Sequence, residues 1–170
     1  MQVENEVRIK LSEASSGLQS VIPLLLVVLY NTEQSTGEDI FVIEEPELNL
    51  YPSSQKDLVE FIIARINQSG KDKLIITTHS PYLLTAIDNL IQAKTVVDLH
   101  PDSKNEVARL VSENAWMDFD EISCYFFDKG TCKSTLDLES RSIGPSNIDD
   151  VSINLSETYE KLLTIKYSEA

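Results

Sequence analysis

The sequence predicts an α/β fold with a mostly parallel sheet and flanking helices, followed by a β-hairpin and a C-terminal helix. Short apolar runs alternate with longer stretches in which apolar residues recur every three or four positions, the order typical of parallel strands joined by helices. The first two runs, residues 40–43 and 74–78, lack the alternation of a half-exposed strand. Lys129-Gly130 separates two further runs and predicts a hairpin turn.

The first elements follow from apolar periodicity. Residues 3–11 alternate apolar and polar side chains over their second half and are predicted to form a half-buried strand. A small polar turn precedes an apolar stretch that predicts a buried helix from Ser16 or Gly17 to Tyr30. Pro23 is expected to bend this helix without ending it. The next run, residues 40–43, is predicted to be a strand buried on both faces.

In the middle of the chain, proline, serine and glycine residues predict where helices begin and end. A helix is predicted to open at Pro52, with Ser53 or Ser54 as its N-cap, and to stop at Gly70. The second buried strand, residues 74–78, is followed by a helix that starts at Ser80-Pro81.

Three more elements complete the prediction. Residues 95–99 are expected to form a third strand, and residues 122–127 and 132–138 to form the hairpin, with Phe127 opposite Cys132. Residues 141–154 are predicted to be a loop, and a terminal helix to follow Ser156. We expect residues 1–100 to form one lobe and residues 101–170 a C-terminal extension packed on it.

Composition excludes several functions. The 170 residues include 14 Lys and Arg against 28 Asp and Glu, a net charge of −14. Nucleic acids and anionic membranes both require cationic side chains, so neither is an expected partner of the isolated chain. The longest apolar run, residues 21–30, is far shorter than the roughly 20 residues of a membrane span. Without a signal-peptide pattern or a cysteine framework, a soluble cytoplasmic protein is expected.

Two adjacent carboxylates are the first candidate site. Glu44 and Glu45 directly follow the buried run 40–43, at the carboxyl edge of the predicted sheet, where α/β proteins bind ligands. One carboxylate can reach hydrated Mg²⁺ while its neighbour orients a water for attack on phosphorus. An acidic loop after a strand is the alternative interpretation.

Two further signals fall near that edge. His79 follows the second buried run, where it can donate to a phosphate oxygen, although a lone histidine is more often structural. Ser15, Ser16 and Gly17 open a helix whose N-terminus can bind an anion, although an ordinary N-cap explains them equally well.

Together and in this order, these segments resemble the C-terminal lobe of ABC-type ATPase heads, a half of the P-loop NTPase fold. RecF/SMC-like and OLD-type ATPases, many of them DNA-repair or phage-defence proteins, are the nearest likeness. Residues 14–18 resemble the ABC signature, Glu44 and Glu45 the Walker B acidic pair, residues 48–51 the D-loop, and His79 the switch histidine. The later segments 125–130 and 148–151 resemble the tail of such proteins more loosely.

The resemblance implies roles for these residues. Glu45 would polarise the attacking water, Glu44 would bind Mg²⁺ through water, and His79 would contact the γ-phosphate of ATP. The signature and the D-loop would contact the nucleotide across a head-to-tail dimer. The residues implied for nucleotide binding are Ser15, Ser16, Gly17 and Asn49.

The P-loop pattern G-x-x-x-x-G-K-[ST] does not occur in the sequence; the only Gly-Lys pair is Gly70-Lys71. Since that element lies upstream of the signature in the resembled family, we expect the chain to act with an upstream Walker A lobe or a full-length ATPase. DNA is expected to bind only through the assembled complex.

Two other functions remain open. A non-catalytic module that docks on a complete ATPase and regulates it is the main alternative. A metal-dependent nuclease would need an Asp-x-Asp cluster at a strand end. Asp118-Phe119-Asp120 matches this pattern, but no apolar run that predicts a strand precedes it. Trp116, Phe119 and the aromatic run 125–127 could stack on bases, but burial in the core is the preferred interpretation.

Overall fold

The computed structural model describes residues 9–144 and 147–167. The chain divides into two compact units, Met1–Thr78 and His79–Ala170. None of the helices in the described part is long and apolar enough to cross a membrane. The helices and strands are α1 Ser16–Gln34, β1 Ile40–Glu44, α2 Pro52–Ser69, β2 Lys73–Thr77, α3 Pro81–Leu99, α4 Lys104–Leu110, β3 Tyr125–Asp128, β4 Thr131–Ser134, β5 Leu136–Asp137, β6 Ser142–Ile143 and α5 Asn147–Tyr167.

The first unit is built on a β–α–β segment. Strands β1 and β2 pair in parallel, with Ile40 opposite Lys73 and Glu44 opposite Thr77, as expected for two apolar runs joined by a helix. The core unites one face of this pair with α1 and α2. Its buried members are Val28, Phe41, Ile43, Leu58 and Ile62.

The other face of the β1–β2 pair is exposed. Side chains alternate along β1, so that Phe41 and Ile43 are buried whereas Ile40 and Val42 are each 62% exposed. Ile75 on β2 is 53% exposed on the same sheet. The prediction that these strands are buried on both faces is therefore wrong for the described chain. An apolar run reflects the composition of a strand, but it does not reveal whether a second layer of structure is present to cover it.

The helix boundaries of the first unit agree in part with the prediction. Helix α1 continues through Pro23, as expected, but it ends at Gln34, four residues beyond the predicted end at Tyr30. Helix α2 begins at Pro52, but its N-cap is Tyr51, so the assignment of the cap to Ser53 or Ser54 is wrong. Gly70 ends α2 with a φ of 68°, a left-handed conformation that suits glycine.

The segment before α1 differs from its prediction. Residues 3–8 of the predicted strand 3–11 lie outside the described residues. Residues 9 and 10 have no regular structure, and Leu11–Glu13 forms a single 3-10 turn, so the end of that strand prediction is wrong.

In the second unit, α3 is longer than predicted. The hydroxyl of Ser80 caps it by accepting a hydrogen bond from the N–H of Leu83 at 3.3 Å. Residues 95–99, predicted to be a third strand, are the last turns of this helix. The β-branched residues of this stretch favour a strand only weakly, and the helix, whose preceding turns bury Leu90 and Ile91, continues through it.

The predicted hairpin is confirmed in β3 and β4, with Phe127 opposite Cys132. Lys129 and Gly130 both have positive φ, as a two-residue type I′ turn requires. Both cysteines are free thiols. However, Tyr125 and Phe127 are exposed, so the expected burial of the aromatic run is wrong for these two side chains.

The loop predicted for residues 141–154 is wrong for residues 142–143 and 147–154, which lie in a strand and a helix, and residues 145 and 146 lie outside the described residues. Strands β5 and β6 form a short antiparallel pair, and α5 begins at Asn147, nine residues before the predicted position Ser156. In the part of the chain that the structure describes, the strands thus form one parallel and two antiparallel pairs. The α/β class is confirmed, whereas a mostly parallel sheet is not.

Candidate active site

Glu44 and Glu45 lie at the carboxyl end of β1. Glu44 is the last residue of the strand and its side chain is exposed. The N–H of Glu45 donates to the carbonyl of Thr77 at 2.9 Å, which extends the ladder one residue beyond the strand. The two carboxylates therefore lie where the sequence predicted them, at the carboxyl edge of a parallel pair.

Two overlapping turns follow this edge. The carbonyl of Glu45 accepts a hydrogen bond from the N–H of Leu48, and the carbonyl of Glu47 accepts one from the N–H of Leu50, both at 3.1 Å. Pro46 occupies the second position of the first turn, where its fixed φ is favourable. Asn49 is the third residue of the second turn with a φ of 62°, which asparagine tolerates better than most residues. Residues 45–50, which we call the acidic turn, thus have a closely specified backbone.

Two buried polar side chains attach the acidic turn to neighbouring elements. Glu47 is only 7% exposed, and its Oε1 accepts a hydrogen bond from Oγ1 of Thr78 at 2.6 Å. Gln55 on α2 is also buried, and its Nε2 donates to the carbonyl of Leu50 at 3.0 Å. The turn is therefore attached both to the end of β2 and to α2.

The N-terminus of α1 contacts the same turn. Ser15 is the N-cap of α1, Ser16 is exposed, and the first turn of the helix contains no acidic residue. The partial positive charge of this helix end is therefore available to an anion. Gly17 is buried against the acidic turn, since a Cβ at this position would lie 2.7 Å from the carbonyl oxygen of Asn49. The structure thus brings Gly17 and Asn49 together.

His79 is the first residue of the second unit and follows β2 by two positions. Its side chain is exposed, and the next residue, Ser80, caps α3. His79 therefore occupies the predicted place in the chain, between a strand and a helix. Its role stays a prediction.

Sequence reasoning missed Glu47, Gln55 and Thr78. A signal existed for Gln55, because it lies three, seven and eleven residues before Leu58, Ile62 and Ile66, on the apolar stripe of α2. A polar residue on such a stripe is expected to have a specific hydrogen-bond partner. The bond between Glu47 and Thr78 depends on strand register and could not have been found from spacing.

The charge of the acidic turn limits what it can do alone. Residues 40–55 contain three glutamates and no Lys or Arg. Carboxylates at this edge can accept a proton from water or bind a hydrated cation, whereas phosphate groups would need cationic partners from elsewhere. No group of three or more His, Cys, Asp or Glu in the described residues is placed to hold a metal ion.

The Asp-x-Asp segment of the second unit is engaged in other contacts. Asp118 and Asp120 flank the start of a 3-10 turn, and the guanidinium of Arg141 donates to both carboxylate oxygens of Asp120, at 3.2 and 3.0 Å. These hydrogen bonds lower the pKa of the Asp120 carboxyl. Arg141 also lies over the ring of buried Phe119. The arrangement is that of a structural ion pair and does not favour the nuclease interpretation.

A family model matches the first part of the chain. Residues 1–84 match the AAA ATPase domain family. The match, just under half of the sequence, includes the acidic turn, the N-terminus of α1 and His79, and it supports an AAA-type ATPase fragment. The chain matches no curated protein and no solved structure.

Proposed function

We propose that residues 1–84 form the carboxylate-bearing part of an ATP-hydrolysing site of the ABC type, which a P-loop lobe completes. The observation that carries the proposal is the placement of Glu44 and Glu45 at the carboxyl edge of a parallel strand pair, within the ATPase family match. The exposed N-terminus of α1, free of acidic residues in its first turn, fits a phosphate group.

In the proposed mechanism, Glu45 accepts a hydrogen bond from the attacking water and orients it. Glu44 would hold Mg²⁺ through water, and the bound cation supplies charge neutralisation at the phosphates. His79 would donate to the γ-phosphate. Ser15, Ser16 and Gly17 would face nucleotide held by another subunit's P-loop, with Asn49 on the same side, in a head-to-tail dimer.

The exposed face of the β1–β2 pair is a reason to propose that another lobe completes the first unit. Parallel sheets are normally covered on both faces, and a two-stranded sheet is marginal by itself. Ile40, Val42 and Ile75 are more than half exposed on the face opposite α1 and α2. Since residues 1–80 carry six basic and twelve acidic side chains, the partner must also supply the phosphate-binding cations. By resemblance, the assembled ATPase would act in DNA repair or phage defence.

The first prediction tests Glu45. Where the DNA directly upstream encodes a P-loop polypeptide, the chain is joined to it, and ATP hydrolysis is compared between the parent and Glu45→Gln. Loss of the residue that orients water is expected to lower the hydrolysis rate by about 100-fold or more, with ATP binding retained. Glu106→Gln, the same change at an exposed position of α4, is the control and should hydrolyse ATP at the parental rate. Parental hydrolysis by Glu45→Gln would refute the role.

A second candidate function is a regulatory module that docks on a complete ATPase without hydrolysing ATP. The absence of a P-loop pattern from the 170 residues favours it. Reading the DNA directly upstream separates the two functions: an adjacent P-loop sequence supports the ATPase, and its absence supports the module.

A further inference from the structure

Glu47 is an acidic side chain in an unusual position. It is 7% exposed, and burial of a carboxylate is unfavourable unless hydrogen bonds compensate it. Thr78 provides such a bond, with 2.6 Å between its Oγ1 and Oε1 of Glu47. A bond of this length from a hydroxyl to a carboxylate is among the strong ones in proteins. Glu47 is thus fixed with respect to the end of β2.

The hydrogen bond between Thr78 and Glu47 restrains the backbone of the acidic turn, which includes Glu45. Glu47 belongs to both turns of the acidic turn, as third residue of the first and as first residue of the second. Two hydrogen bonds therefore join the first half of the acidic turn to the end of β2. The N–H of Glu45 donates to the carbonyl of Thr77, the last residue of the strand, and the hydroxyl of Thr78, the next residue, donates to the Glu47 carboxylate.

Glu45 needs this support because its φ is 45°. A non-glycine residue in that region is strained, and the conformation persists only when its surroundings enforce it. Release of the turn would allow Glu45 to return to a more favourable φ, and its carboxylate would then leave the sheet edge.

We infer that Glu47 and Thr78 are positioning residues, which hold the Glu45 carboxylate in place through the hydrogen bond between them. The inference rests on the proposed role of Glu45 in ATP hydrolysis. It assigns to Glu47 no contact with nucleotide, so its effect is exerted through the geometry of the acidic turn.

The second prediction tests the attachment in the full 170-residue chain. Thr78→Val keeps the shape of the side chain and removes its hydroxyl. We expect amide hydrogen exchange of Glu45, Leu48 and Leu50, measured by NMR, to become about tenfold faster, since one strong hydrogen bond is lost. Thr78→Ser restores the hydroxyl and should exchange at close to the parental rate. Thr77→Val makes the same change at the exposed neighbouring position and is the matched control.

The kinetic constants of ATP hydrolysis are measured separately, in the chain joined to a P-loop lobe. Thr78→Val should lower kcat about tenfold with the KM for ATP within twofold of the parent, and Thr78→Ser should recover kcat. Glu47→Asp, which keeps the charge but shortens the side chain, should reproduce both effects and serves if Thr78→Val does not fold.

The outcomes are distinguishable. Unchanged exchange in Thr78→Val and Glu47→Asp would overturn the attachment, whatever the hydrolysis rate. Faster exchange with unchanged kcat would show a merely structural bond and would overturn the positioning role. If the parent fusion hydrolyses no ATP, the proposed function fails and the catalytic purpose of the bond fails with it. The exchange data would still decide whether the bond holds the turn.

Discussion

Gly17 shows how a single residue can satisfy two requirements. In the proposed function Gly17 would face a phosphate group, whereas the structure shows a steric reason for glycine at this position. A Cβ would lie 2.7 Å from the carbonyl oxygen of Asn49 and 3.2 Å from a methyl group of Leu50. The close approach joins the N-terminus of α1 to the acidic turn. Sequence patterns could not reveal it, because the two segments are more than thirty residues apart.

The third prediction follows from this contact. Gly17→Ala should lower the free energy of unfolding by about 1–3 kcal/mol, because the added methyl group overpacks against a backbone carbonyl that cannot easily move. Urea denaturation of the 170-residue chain measures the change. Gly37→Ala is the control, since a Cβ there meets no atom within 4 Å, and its stability should be equal to or slightly above that of the parent. Equal stabilities for the two variants would contradict the steric explanation.

At the level of elements, local signals predicted where segments begin and end better than what covers them. Ser80-Pro81 opens α3 and Gly70 closes α2, as their backbone preferences require. In contrast, residues 95–99 carry a weak strand preference, yet α3 continues through them. The exposed face of β1 was also unpredictable, because burial depends on a neighbouring layer and not on the strand itself.

The β5–β6 pair shows a tertiary attachment that no local signal predicted. Asp88 on α3 accepts a hydrogen bond from the N–H of Ile143 at 2.8 Å, and Gln92 donates to the carbonyl of Arg141 at the same distance. The guanidinium of Arg141 in turn pairs with Asp120. Short strands that look like a loop in sequence are thus held by side chains from distant elements.

The fourth prediction concerns the pH dependence of this attachment. Hydrogen bonds from Arg141 lower the pKa of the Asp120 carboxyl below its unfolded value of about 3.9. The pair therefore stabilises the folded chain above the unfolded pKa, and this contribution is lost as the pH falls through the lower folded pKa. In an NMR titration, Arg141→Gln should raise the pKa of Asp120.

Arg109→Gln, a charge-matched change at the end of α4, is the control and should leave the pKa of Asp120 close to that of the parent. An unchanged pKa of Asp120 in Arg141→Gln would mean that another group is responsible for the shift.

For the molecule as a whole, the negative charge and the exposed apolar surface both support the proposal that a second lobe completes the first unit. A net charge of −14 disfavours phosphate binding by the chain alone, yet its first unit carries the carboxylates and the helix end that the proposed ATP site would use. The same unit exposes apolar side chains both on the sheet and on α1, where Leu18, Leu26 and Tyr30 are more than half exposed. An apolar helix with no fully polar face is typical of the interior of a larger structure.

The fifth prediction tests whether the exposed sheet face binds the P-loop lobe. The double variant Val42→Asn with Ile75→Asn should fold with nearly parental stability, because both side chains are already largely exposed. Its affinity for the separately produced lobe, measured by calorimetry, should fall at least about tenfold, since two apolar contacts are lost. Leu110→Asn with Leu138→Asn changes two exposed apolar residues of the second unit and should bind with parental affinity. Equal losses in both double variants would show a general effect of surface polarity, and parental binding by the Val42 and Ile75 variant would place the lobe on another surface.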